Sequence, residues 1–151
     1  MQRFQIFHYL ITVTLPGVIF YSNIYIDRLQ RLQNRSARII TRCSRSSEAI
    51  AQWHWPTLSN RRSYHKAELV FLCLHSLVPS YFLLHFTRFS NLHNYSTRQS
   101  LRLPLPNVKE SFGKRTFLFT GAKIFNKLPL KIVKNENIQT FCRRARHFFL
   151  S

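Results

Sequence analysis

Between Ile26 and Arg42 the chain reads IDRLQRLQNRSARIITR. On a helix, at about 100° per residue, Arg28, Arg31, Arg35, Arg38 and Arg42 fall in one narrow stripe. With a rise of about 1.5 Å per residue the stripe is about 21 Å long. Guanidinium groups three or four positions apart repel, at a cost of a few tenths of a kcal/mol per pair. A helix that keeps five of them aligned is either well solvated or facing an anion. The chemistry this pattern suits is neutralisation of a phosphate backbone. A second basic cluster, Arg61, Arg62 and Lys66, opens the next strong helical pattern. It stands at the end where the helix dipole disfavours cations, which points to compensation from elsewhere. These eight side chains are the candidate nucleic-acid-binding set.

Catalysis and metal chemistry find little to work with. The five acids are Asp27, Glu48, Glu68, Glu110 and Glu136, and no two are close in sequence. Two-metal chemistry requires clustered carboxylates. Cys43, Cys73 and Cys142 form no CxxC pair, and the histidines show no ligand spacing, so neither a metal nor a cofactor is expected. The odd cysteine count suggests a reducing compartment. With 3 glycines in the chain there is no phosphate-cradling loop, and no nucleophile elbow is present. No enzyme is expected here.

The overall charge supports the candidate set. Lys and Arg number 23 against 5 acids, a formal net charge of +18. A field of that size speaks of partners rather than fold. Nucleic acid is the commonest polyanion that rewards it, with anionic membranes and acidic protein surfaces as competitors.

The elements that must position these residues are helical. Ile26, Leu29, Leu32, Ile39 and Ile40 form an arc opposite the arginines, with Ala37 at its edge, and this arc is expected to be buried. Ser47 is a candidate N-cap for a short helix over Glu48–Trp53, and Trp53 and Trp55 are expected to plug the gap between helices. Arg61–Leu77 is the next helix, apolar nearly all round in its second half and therefore central. Tyr81–Phe86 reads as a short apolar helix, and His75 and His85 as satisfied core histidines. LRLPLP, at Leu101–Pro106, is limited by its prolines to an extended or edge segment. Thr116–Asn126 is helical, interrupted by Gly121. Asn137 caps a closing helix to Leu150 that docks by its phenylalanines, with Arg143, Arg144 and Arg146 off the apolar stripe.

The predicted fold is mostly α: one irregular helical domain, residues 1–151, of about five to seven helices. It divides into an apolar entry segment (1–25), a helical core (26–86), a loop-rich stretch (87–114) and closing helices (115–151). The apolar arcs of the arginine helix, the Arg61–Leu77 helix and the closing helix are expected to share one core. Phe4–Tyr21 is apolar but broken by polar residues and by Pro16-Gly17, so a buried helix is expected there rather than a span or leader.

Several stretches resemble one family. Leu29–Ile40, LQRLQNRSARII, is similar to the "LQRLQNRAARII" segment of LINE-type (non-LTR) retrotransposon reverse transcriptases. Trp55-Pro56-Thr57-Leu58 with Arg61-Arg62 and His65-Lys66 resembles the family's "GWLPL…RR…HK". Leu74–Phe82 resembles "LHGLVPEYL", and Arg115-Thr116-Phe117 with Phe125–Pro129 resembles "RSF…LWNSLP". Ile138–Phe149 resembles the closing "SLSSFKRRLKTHLF", and the apolar start, from Phe7 to Tyr21, resembles "FYNSLILPYLDY". The motifs come in the family's order and spacing over nearly the whole chain. Where the family usually has Lys, Gly and Trp, this chain has Leu72, Ser76 and Phe125.

The resemblance implies a helical C-terminal extension of an RNA-directed DNA polymerase, without the catalytic carboxylate motif, which lies upstream in the family. The implied partners are RNA or DNA, bound without regard to sequence, and a polymerase domain upstream; the implied place is inside the cell, in cytoplasm or nucleus. The competing expectations are a decayed fragment with no retained activity and a membrane-associated protein anchored by Phe4–Tyr21.

Overall fold

The computed structural model describes residues 23–52, 54–80, 86–92 and 97–150. The protein is mostly helical, with six α-helices and no strand among the described residues. In chain order these are α1 (Asn23–Thr41), α2 (Ser46–Gln52), α3 (Leu58–Leu74), α4 (Phe117–Phe125), α5 (Leu130–Val133) and α6 (Ile138–Leu150). Between α3 and α4 the described chain is irregular apart from 3₁₀ turns at Phe89–Asn91 and Gly113–Arg115. The expected helix over Tyr81–Phe86 and the entry segment through Ser22 lie outside the described residues, Phe86 excepted; His85 and Trp53 do too.

One core is built where α3 meets α4 and α6. Phe71 of α3 stacks on Phe141 of α6 at 4.0 Å between ring centroids, and Phe125 of α4 lies 6.2 Å from Phe141. All three rings are fully buried. Offset stacking of this kind adds about 0.5–1.5 kcal/mol per pair beyond area burial. Gly121 does not interrupt α4; a Cβ there would come within 3.0 Å of Val70 Cγ2, so the glycine lets α4 approach α3 closely. The LRLPLP stretch begins in a turn at Leu101 and continues without regular structure, held at Leu103 by one side chain. Asn126 accepts from the Leu103 amide at 2.9 Å and donates to the Leu103 carbonyl at 2.8 Å.

The caps fix the helix ends. Thr57 accepts from the Asn60 amide and starts α3 three residues before the predicted Arg61. At the other end Ser76 has φ 55°, and the Leu77 amide reaches back to the Leu72 carbonyl at 2.9 Å. This is a left-handed C-terminal cap at a position where glycine is the usual occupant. Asn137 caps α6 as predicted, accepting from the Gln139 amide at 2.8 Å.

The arginine helix departs from expectation. It forms, but it does not join the core. It packs on α2, where Ala37 and Ala49 are the fully buried residues. Its link to α3 is polar. Gln33 Nε2 donates to the Pro56 carbonyl at 3.1 Å, and Gln30 Oε1 accepts from the Leu58 amide at 3.0 Å. Gln30, Gln33, Asn34 and Thr41 are half-buried with Ala37, while Leu29, Leu32, Ile39 and Ile40 are exposed. The predicted buried arc is therefore on the outside, Ile26 and Ala37 excepted. The described partner is small: α2 is 7 residues long and meets the 19-residue α1 at Ala49, leaving Leu29, Leu32, Ile39 and Ile40 uncovered.

Candidate nucleic-acid interface

α1 has three sectors when read at about 100° per residue. Gln30, Gln33, Asn34, Ala37 and Thr41 form the inner one. Arg28, Arg31, Arg35 and Arg38 form the second, all exposed. Tyr25, Leu29, Leu32, Ile39 and Ile40 form the third. The arginine sector does not stand on a bare convex surface. Arg28, Arg31, Arg35 and Arg38, with Leu32 and Asn34, line an open groove of about 560 Å³ closed on one side by Ser46 at the start of α2. Four arginines thus border one open depression, with no carboxylate in its lining. Arg28 also rests over the Tyr25 ring, 5.7 Å from its centroid.

Two of the predicted site residues are placed differently from the pattern. α1 ends at Thr41, and Arg42 has left the helix with φ 54°, so the helical stripe has four members rather than five. Thr41 turns its hydroxyl back onto the Ala37 carbonyl at 2.9 Å, closing the last turn. Lys66 is not on a surface patch. It is 8% exposed and its Nζ donates to Thr120 Oγ1 at 3.2 Å, at the α3–α4 contact. Burial first, and the nearby Arg62 second, hold its pKa below the ordinary lysine range. Periodicity placed Lys66 near Arg62 correctly but could not show that α4 covers it. Arg61 is exposed and Arg62 half-buried. Arg61 lies three residues past the Leu58 amide that Gln30 ties to α1.

A titratable cluster that sequence reading did not single out lies between α3 and α6. The Cys142 thiol donates to Glu68 Oε1 at 3.4 Å, and His65 Nδ1 is 3.3 Å from Glu68 Oε2. Arg146 covers the Tyr64 ring at 5.9 Å. Burial first, and the Glu68 carboxylate second, push the Cys142 thiol up to about 11 and raise the Tyr64 phenol as well. A thiol held protonated is a poor nucleophile. Cys73, buried in the core, is pushed up to about 12 by burial. Both cysteines are thus packing residues, as their apolar stretches suggested. The i, i+3 spacing of His65 and the i, i+4 spacing of Tyr64 to Glu68 were visible in the sequence, but Cys142 is 74 positions away from Glu68.

His75, read as a core histidine, is only half-buried at the end of α3, where its ring has partners. Its ring lies 4.2 Å from that of Phe71, and Nε2 faces Arg88 Nη2 at 3.4 Å. Burial, then the Arg88 guanidinium, hold its imidazole below the usual range, so Nε2 accepts. Among the described residues no group of three or more His, Cys, Asp or Glu side chains could hold a metal ion. No described helix is long and apolar enough to cross a membrane. No family model matches this chain, and neither a curated protein nor a solved structure does.

Proposed function

We propose that this chain is a non-catalytic nucleic-acid-binding segment, the C-terminal extension of a LINE-type retrotransposon reverse transcriptase, acting inside the cell in cytoplasm or nucleus. The observation that carries the binding half is the groove in which Arg28, Arg31, Arg35 and Arg38 meet beside Ser46. The four arginines share one side of a helix and border one open depression, in a chain of net charge +18. A phosphate backbone relieves their mutual repulsion, with Arg61 at the α1–α3 junction and Arg42 past the helix end as outlying contacts.

Support for the family half comes from the motif order and from one geometric detail. Residue 76 occupies a left-handed cap, and the family it resembles usually has glycine there. In this reading the polymerase's carboxylates lie upstream, the chain is not an enzyme, and its partners are RNA or DNA without sequence preference.

Affinity for a structured RNA, measured from low to moderate salt, tests the reading. Four phosphate contacts predict that a roughly fourfold rise in salt weakens binding about a hundredfold. The Arg28→Gln, Arg31→Gln, Arg35→Gln, Arg38→Gln variant is expected to lose most of that affinity and of its salt dependence. A flat salt response, or unchanged binding by the variant, ends the proposal.

A further inference from the structure

Nucleic acid leaves the third sector of α1 unexplained. Leu32 is 58% exposed, Ile39 68% and Ile40 56%, and Leu29 and Tyr25 are exposed with them. These five lie within about 100° of arc and run along about 22 Å of helix. An exposed apolar strip of this continuity marks an interaction surface. We propose that it docks α1 onto an anionic lipid bilayer, the helix lying in the plane of the interface.

The charge pattern selects that occupant. The arginine sector borders the aliphatic one directly, Arg28 beside Leu32 and Ile39 on the helical projection. Long arginine side chains can reach headgroup phosphates while the aliphatics enter the acyl boundary. The one acid of α1, Asp27, projects on the far side of the arginines, away from the aliphatics. An antiparallel second copy of the chain on the strip would bring two arginine rows side by side, which repulsion disfavours. An acidic protein would need a matching shape, whereas an anionic bilayer supplies charge and apolar depth together. The sequence-based expectation concerned a span or leader at Phe4–Tyr21, whereas the strip proposed here lies on α1.

The proposal stands on the strip and is independent of RNA binding, although the arginines serve both. Flotation of the full chain with phosphatidylcholine vesicles, with and without phosphatidylserine, tests it, alongside RNA affinity and thermal unfolding of the same samples. The expected result is binding that requires phosphatidylserine and falls about tenfold or more in Leu29→Ser, Ile39→Ser, Ile40→Ser, a variant that leaves the groove lining untouched. That variant should keep the native unfolding midpoint and RNA affinity. The four-arginine glutamine variant should lose both ligands. Absence of vesicle binding, equal binding without phosphatidylserine, or undiminished binding by the serine variant overturns the proposal. The last result would assign binding to charge alone or to another segment. A lowered unfolding midpoint in the serine variant overturns it too, since the strip would then be covered by protein. Loss of RNA binding's salt dependence, with vesicle binding intact, would instead sink the preceding section's reading.

Discussion

α1 and α6 carry the same kind of pattern and have opposite fates. Each is amphipathic, with aliphatic or aromatic residues at helical spacing and arginines off that stripe. In α6 the middle of the apolar stripe is inside, although Phe148 near its end is exposed: Phe141 and Ala145 are fully buried, and Phe141 lies between the rings of Phe71 and Phe125. In α1 the apolar stripe is outside, and a polar sector of glutamines, asparagine and threonine faces inward around Ala37. Periodicity says that a helix has two faces. Which face is buried depends on whether a neighbour offers apolar surface of the right size. α3 offers α6 the Phe71 ring, whereas α2 offers α1 an alanine, and the chain entering α3 offers it backbone groups that two carboxamides satisfy.

The sharpest way to break this contrast is to truncate one large apolar residue in each helix. Phe141→Ala should cost about 3–5 kcal/mol, because it leaves a cavity among fully buried rings. Leu29→Ala should stay within about 0.5 kcal/mol, as surface changes do. Denaturant midpoints measured on both variants decide it, and a comparable loss at Leu29 would place the α1 strip in a core after all.

A smaller effect separates the attachment of α1 from the integrity of the core. Gln30→Ala removes the acceptor for the Leu58 amide, a loss of about 1–2 kcal/mol. Hydrogen exchange should quicken in α1 and α2, while the Phe71 and Phe141 amides keep their protection. Uniform loss of protection would mean that arm and core unfold as one unit.

The smallest expected change concerns the end of α3. Ser76→Gly relieves the left-handed cap and should stabilise the fold by about 0.5–1 kcal/mol. A rise in the thermal midpoint checks it. A fall would mean that the serine side chain contributes more than the backbone strain removes.

Much of the local structure was legible. The N-cap at Asn137 and the burial of Phe141 in α6 follow from side-chain chemistry acting over three or four residues, whereas the helix read to Leu77 ends at Leu74, where the left-handed Ser76 closes it. The arginine row was legible for the same reason, although the last of its five members was counted inside a helix that ends one residue earlier. What failed was pairing. Lys66 looks exposed on its own helix and is buried because α4, more than fifty positions away, lies over it. Gly121 looks like an interruption and is a contact point, because Val70 stands where its side chain would be.

The order of residues alone settled the charge, the helical periodicities and the turn positions, since each depends on neighbours within one or two turns. It also settled that four arginines share a side of α1. Only the tertiary arrangement decided that those arginines edge a groove, that Lys66 is spent on Thr120, and that Leu32, Ile39 and Ile40 face outward. Burial is a property of two surfaces, and a single helix carries the information for one of them.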